Sequence, residues 1–509
     1  MSIEDRINII KNLPEDKRIA FYQKLQQKLS NNKAPIQQIQ RHIRDDKIPL
    51  SAIQEQIWFF EQLVSNSNAY NIPMAMHLNG HIDIMALQRV INDMLSRHEI
   101  LRTNFKEVDG KPYQFIIDRL EMDIQVINLK DEHCVDKIGY AKEIASDLSR
   151  QPFDLSQCPL FRVALVKISD SSHVLVFVIH HLLCDNWSLR LLVNDVINLY
   201  NAFTNNEPIQ IANTGIQYAD YCYWEQEFIN SLDYKKQSEY LKQKLDGKIN
   251  ELRLPYDKKR ESWENRKSKS QRFYIETPLY ERMKSFCKDY SVTTYNILFS
   301  VYTALLYRYT NDSDVIIGTS FTNRPDVDSE NVLGPFINIL LVNTEFYDDI
   351  TFRELINQVK ENTLNYHAHK HIPMYRIIKE LKIRRSVDTL SLFQVFFDFL
   401  NFNMDDWYTK PPDNVEVDFL IHYDILVNHN TPKFDLDLTM AETKEGIGGN
   451  MEYACDVFNS STSLQMINHF NTLLTALLTD PNQKISGVHL FDKHNDVFLK
   501  YENMIDFNL

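Results

Sequence analysis

Within nine residues, His180-His181-Leu182-Leu183-Cys184-Asp185-Asn186-Trp187-Ser188 gathers two imidazoles, a thiol, a carboxylate and a hydroxyl. An imidazole titrates near neutrality, at about 6.5 when unperturbed. That suits acyl transfer, in which an attacking nucleophile must shed a proton. Acyl transfer has four needs: a carbonyl held still, a deprotonated nucleophile, a stabilised oxyanion and, where water would compete, its exclusion. Cys184 beside His181 would instead make the nucleophile–base pair of a covalent hydrolase.

The flanking pattern says how such groups would be held. Val174 to Ile179 is a short apolar run rich in β-branched residues, which predicts a buried strand. Past the motif, Leu189, Leu192, Val193, Val196 and Tyr200 recur at helical spacing. They predict a helix that starts between Asp185 and Ser188, with an Asp, Asn or Ser cap. The histidines therefore sit at a strand end on the lip of a turn. Adjacent strand residues face opposite ways, so one ring is structural and the other projects into a cavity.

HHxxxD followed by a small residue resembles the signature of nonribosomal peptide synthetase condensation domains, which belong to the chloramphenicol acetyltransferase-like acyltransferases. Further segments resemble that family's motifs in its order, over residues 46 to 495. Leu50-Ser51-Ala52-Ile53-Gln54 through Trp58-Phe59 is similar to the opening LSxxQxxxW motif. Arg97-His98-Glu99-Ile100-Leu101-Arg102-Thr103-Asn104-Phe105 is similar to RHExLRTxF. Tyr218-Ala219-Asp220-Tyr221 with Trp224, Gly318 to Arg324, Leu333 to Asn338, His369 to Met374 and Leu392 to Phe397 follow in register.

The resemblance implies an α/β fold of two chloramphenicol acetyltransferase-like lobes forming a V, with the active-site channel between them. The lobes would be residues 46–228, carrying HHxxxD, and 229–509, preceded by a short N-terminal helical extension or docking element, residues 1–45. It implies His181 as the catalytic imidazole and His180 as a structural one. Asp185 would pair with Arg324 to brace the turn. Asn186 stands where the family usually has Gly; Asn tolerates the left-handed region best among side chains, so the turn should survive. Ser188 and Asn338 are candidate channel residues. Ser51, Gln54 and Trp58 should pack the first lobe, with Arg97, Glu99 and Arg102 ion-paired inside it.

The implied activity is amide formation: an acceptor amine attacks a carrier-bound donor acyl thioester in nonribosomal peptide or hybrid polyketide assembly. Two alternatives stay open. One is a freestanding acyltransferase serving a soluble amine or alcohol; the other is a silent or epimerising relative. The intact His180-His181 pair argues against the silent relatives, and the opening motifs argue against the epimerising ones. This chain would bind no cofactor, because the phosphopantetheine arms belong to donor and acceptor carrier proteins. An upstream partner could dock on residues 1–45.

Composition sets outer limits. The 509 residues are 44% hydrophobic and 12% aromatic, enough for a sizeable core. A net charge of −14 argues against nucleic acid. The six scattered cysteines form no CxxC pair, which predicts reduced thiols and no zinc site. No glycine-rich phosphate loop is present. The polar start reads as neither signal nor transit peptide, and no apolar run nears the ~18–20 residues that span a bilayer; a cytoplasmic protein with no membrane partner is expected. His367, His369 and His371 alternate, which on a strand would give one imidazole face, a polar stripe or metal ligands. Tyr256 to Arg272 carries seven Lys/Arg against three Asp/Glu. It reads as a solvated inter-lobe loop or a contact for an acidic carrier. No adenylation module or carrier domain is recognisable. The Met1 start favours a protein that begins here, and Tyr501 to Leu509 resembles the helix that usually follows a condensation domain.

Overall fold

The computed structural model describes residues 38–64, 67–130, 136–209, 215–260, 266–381, 393–400, 411, 415–421, 431–443 and 446–490. The helical patterns expected within residues 1–37, and those near the C-terminus, lie outside the described residues.

The expected strand before the motif runs from Ser172 to His180 and is buried at eight of its nine positions. It is central to a five-stranded sheet ordered Glu416–Ile421, Asn71–Asn79, Ser172–His180, Phe161–Lys167, Gln125–Asn128. Leu175, Phe177 and Ile179 pack with the helices Ile84–Arg97 and Asn186–Asn205. Val174, Val176 and Val178 pack with Ala141, Ala145 and Leu148 of the helix Lys137–Arg150. Both faces are covered, which is why the strand reads as an unbroken apolar run rather than an alternation. Burying each such side chain stabilises the fold by roughly 1.5–3 kcal/mol, so the strand end that carries the histidines is rigidly held.

The second sheet has six strands, ordered Ile337–Glu345, Asp314–Thr322, Val395–Leu400, Leu436–Thr443, Gly446–Ala454, Ser268–Glu276. Beneath it runs the helix Thr294–Thr310, buried almost all round rather than along one stripe. Helices Phe352–Ala368 and Ser460–Thr479 close over that helix. A three-stranded sheet, ordered Ile48–Pro49, Lys111–Ile116, Thr103–Val108, sits on the first half.

The strand Glu416–Ile421 departs from the division expected at residue 229. It pairs antiparallel with Asn71–Asn79, Glu416 opposite Asn79. The second half thus returns to cover a sheet edge of the first, whose backbone groups would otherwise be left unpaired.

Candidate active site

The turn that follows His180 is fixed from both sides. His180 N–H donates to the Leu160 carbonyl at 3.0 Å, and His181 N–H to the Tyr70 carbonyl at 2.8 Å. His180 itself is buried; its Nδ1 accepts from the Leu182 N–H at 3.2 Å, and its Nε2 lies 3.9 Å from Glu61 Oε1. Gln54, from the opening motif, donates to the Leu182 carbonyl at 3.0 Å. Ser51 caps the helix Ala52–Leu63 that carries Gln54, and its hydroxyl bonds Tyr218 OH at 2.8 Å. Two sequence motifs distant in the chain therefore grip one turn.

Asp185 caps the helix Asn186–Asn205, its Oδ1 accepting from Ser188 N–H at 2.8 Å. The same carboxylate faces Arg324 at 3.4 Å and accepts from Phe336 N–H at 2.9 Å. Arg324 also donates to Ser188 Oγ at 3.0 Å, to the Val332 carbonyl at 2.8 Å and to the Ser329 carbonyl. Ser188 Oγ donates to the Gly334 carbonyl at 2.8 Å and accepts from the Gly334 N–H at 3.0 Å. Gly334 lies against the Tyr218 ring, where an added Cβ would come within 1.9 Å. Only glycine allows that approach. Asp185, Ser188 and Arg324 thus form a dry latch between the two halves, with hydrogen bonds to the buried charges.

His181 is half-buried and lines a cavity of about 600 Å³ between the two halves. Desolvation pushes its pKa down to about 3, and the charge of Lys433 adds to the effect. The ring is therefore neutral near pH 7 and offers a lone pair. Its Nδ1 is sealed from solvent, which leaves Nε2 to meet a substrate. Tyr70 stands edge-on to the ring at 6.1 Å. Cys184 does not line the cavity, and burial raises its thiol pKa far above the ordinary value. It is a poor nucleophile, so the hydrolase pair is not assembled.

The opposite wall comes from the six-stranded sheet. Phe396 and Phe434 stack at 4.7 Å, and Phe393 stacks on Phe434 at 4.9 Å. Beside these rings lie Asp398 and Asp437. Burial raises Asp398 to about 7 while Ser320 Oγ, donating at 2.8 Å, pulls it down. Burial also raises Asp437, and raises Glu452, its cross-strand partner, to about 7. Lys433 contributes a positive charge to this wall, its Nζ 5.1 Å from the Tyr70 ring centroid.

Several expectations change. Asn186 is not among the non-glycine residues with positive φ; it is the first residue of its helix and lines the cavity. The turn needs no left-handed residue there, so what replaces glycine is a side chain at the channel wall. Ser188 is fully buried in the latch and lies off the cavity. Asn338 is off the main cavity too, because strand alternation turns Ile337 and Ile339 into it. Asn338 instead donates to the carbonyls of Lys370 and Ile372, at 2.8 and 2.5 Å.

Arg97 pairs with Asp93 and Glu99 with Arg44, but Arg102 donates to the Ile117 carbonyl rather than to a carboxylate. The alternating histidines are not on a strand. His367 lies in the helix Phe352–Ala368, His369 caps it, and His371 Nδ1 bonds Asn323 Oδ1 at 2.6 Å. No group of three potential metal ligands occurs among the described residues. In the basic stretch, Arg266 bonds Asp435 and Asp456 at 2.6 and 3.0 Å, and Arg260 bonds Asp435 at 2.5 Å. These arginines are tied inside the fold rather than offered to a carrier. No helix among the described residues is long and apolar enough to cross a membrane.

Residue-by-residue reading missed Tyr70, Asp398, Lys433 and Asp437. The one available signal was Lys433-Phe434-Asp435-Leu436-Asp437-Leu438-Thr439, an alternating strand with charge on one face.

A family model described as "Condensation domain" matches residues 44–499. The chain is 34% identical over 437 residues to one of the proteins that make up the linear gramicidin synthase of Brevibacillus parabrevis, covering 85% of this chain and 8% of that protein. It is 31% identical over 437 residues to surfactin synthase subunit 1 of Bacillus subtilis (strain 168), covering 86% and 12%. It spans about a tenth of the length of these relatives. In fold it is similar to the X-domain from teicoplanin biosynthesis (TM-score 0.80, 23% identity, 89% of this chain and 100% of that one). It is also similar to the condensation domain of the Monacolin K polyketide synthase MokA (TM-score 0.74, 20% identity, 86% and 98%).

Proposed function

The chain belongs to the condensation-domain family, and from that premise we propose that it forms an amide bond between two carrier-bound substrates. The substrates are a donor acyl thioester and an acceptor amine, each on the phosphopantetheine arm of a carrier protein, in nonribosomal peptide or hybrid polyketide assembly. The observation that carries this reading is the neutral imidazole of His181, fixed by a backbone bond to Tyr70 and facing a cavity between the halves.

A free amine has a pKa of roughly 7.7–8, so part of it is already neutral at pH 7. Its nitrogen attacks the thioester carbonyl beside Nε2, which accepts the hydrogen bond and then the proton shed as the intermediate forms. The same imidazole then returns that proton to the departing thiolate. Asp185 and Arg324 take no part in proton transfer; they hold the turn so that Nε2 stays aimed. The stacked phenylalanines offer an apolar bed for an acyl or side-chain group. The chain supplies no cofactor of its own in this scheme, and it works in the cytoplasm with its carriers.

The test is a condensation assay with acyl thioesters and amine acceptors, carrier-bound and soluble, read by mass spectrometry. His181→Ala should lower amide formation by about 10²–10⁴-fold with an unchanged fold. Equal product from both proteins would remove His181 from the mechanism. Preference for a soluble amine or alcohol would favour the freestanding acyltransferase instead.

A further inference from the structure

Aminolysis of the thioester develops a negative charge that neither His181 nor the latch receives. As the amine bonds to the thioester carbon, the carbonyl electron pair moves onto oxygen. That oxyanion needs a donor or a positive charge placed beforehand. Three backbone donors of the turn are engaged: His181 N–H on the Tyr70 carbonyl, Leu183 N–H on the His180 carbonyl, and Leu182 N–H on the His180 ring. A charged side chain facing the cavity can supply what they do not.

Among the described residues two cations line the cavity, Arg190 and Lys433. Arg190 is stacked on the Trp187 ring, its guanidinium carbon 4.3 Å from the centroid. Lys433 is placed differently. Its ammonium lies 5.1 Å from the centroid of Tyr70, and that same ring meets His181 edge-on at 6.1 Å. Ammonium and imidazole therefore flank one aromatic ring in one cavity. Among the described residues Lys433 makes no ion pair within 4 Å. A lysine carries its charge on a flexible four-carbon stem, which lets it follow an oxygen that moves as the carbon becomes tetrahedral.

We propose, resting on the condensation reading, that Lys433 stabilises the oxyanion of the tetrahedral intermediate formed beside His181. The C–N bond forms and the oxygen takes the electron pair opposite the ammonium. The proton on nitrogen passes to His181 Nε2. The carbonyl then re-forms, the C–S bond breaks, and the thiolate takes the proton from His181. Lys433 keeps its own proton throughout, so charge and atoms balance. The influence of Lys433 on His181 supports this placement: after burial, its charge is the largest cause of that ring's lowered pKa. The other ionisable groups around the pair are His180, Cys184, Asp185 and Tyr70 on the motif side, and Asp398, Asp437 and Glu452 on the sheet.

Two measurements test it on the full chain. In the first, Lys433→Gln and Lys433→Arg are assayed with an aminoacyl-pantetheine donor and an amino-acid amide acceptor. Lys433→Gln should lose about 10²-fold in kcat with KM within about twofold, and Lys433→Arg should recover most of it. In the second, calorimetry compares a pantetheine-linked phosphonamidate, whose charged oxygens copy the oxyanion, with the matching neutral amide. Lys433→Gln should weaken the phosphonamidate by about 10–10²-fold and leave the amide within about twofold. An unchanged kcat, a loss confined to KM, equal weakening of both ligands, or an arginine variant as poor as glutamine would each overturn the assignment. A wild type that makes no amide and binds neither ligand would sink the condensation reading itself.

Discussion

The two walls of the cavity hold their carboxylates in opposite ways. On the motif side, Asp185 meets Arg324 and two backbone N–H groups, each of them a donor aimed at it. On the sheet side, Asp398 has Ser320 and one backbone N–H, with Asp437 close by and Glu452 beyond. The first wall pairs its carboxylate with a cation and with backbone donors. The second raises the pKa of its acids by burial and mutual repulsion. The walls thus differ in kind: one holds the imidazole still with paired groups, and the other carries acids whose ionisation burial opposes.

The comparison is broken most severely by removing the latch cation. Arg324→Met leaves Asp185 buried without its counter-charge and frees the carbonyls of Ser329 and Val332. Breaking one side of a buried pair costs about 3–5 kcal/mol, to be read by urea unfolding. Adding Asp185→Asn should recover part of that loss, since the stranded charge is then gone. If the single variant lost less than about 1 kcal/mol, the latch would not be what holds the turn.

A smaller effect is expected at Asn186, which belongs to both descriptions because it starts the helix and faces the channel. Asn186→Gly should change stability by no more than about 0.5 kcal/mol, because asparagine is itself a poor helix former and the position is the first of the helix. It should also lower KM for bulky acceptors. No change in acceptor preference would mean that the side chain does not narrow the path.

How much of this was readable beforehand differs between the same two walls. The motif side was legible because its chemistry is local: a strand, a turn and a helix cap within one stretch of chain, with Arg324 reached through the family resemblance. Asn186 misled because the glycine usual in the family at that position suggested a left-handed turn, whereas the residue is the first of its helix. Ser188 was placed near the channel by its nearness to the motif, and Asn338 by the family segment that it closes. Their orientation depends on which face of a helix or strand meets the other half, and that is settled by tertiary packing. The sheet side was nearly silent. Asp398 and Asp437 come together through strand pairing, Phe396 opposite Gly318 and opposite Asp437, and a register across that much sequence is not visible in residue types. The strand Glu416–Ile421 was missed for the same reason, since nothing local says that it joins the first half's sheet.

The subtlest test concerns that silent wall. Asp398 has a folded pKa of about 7 against an ordinary 3.8. Below pH 3.8 the carboxyl is protonated in both folded and unfolded chains, and the stability it contributes is fully present. As pH rises, the unfolded chain releases its proton first, so this stability is lost progressively until pH passes the folded value near 7. Asp398→Asn keeps an acceptor for Ser320 and removes the titration. The variant should therefore be more stable than wild type by about 1–2 kcal/mol at pH 8, with the difference fading towards pH 4. His181 and His469 have pKa values lowered to about 3 and 4, so they weaken the fold as pH falls below 6.5. They do so equally in both proteins, and the difference between the two urea series isolates the carboxyl. Asp437 and Glu452 titrate with Asp398 as a set, so the midpoint of that difference belongs to the group rather than to one residue. Parallel stability curves across this range would mean that the sheet wall is charged and hydrated at every pH, and the contrast between the two walls would fall.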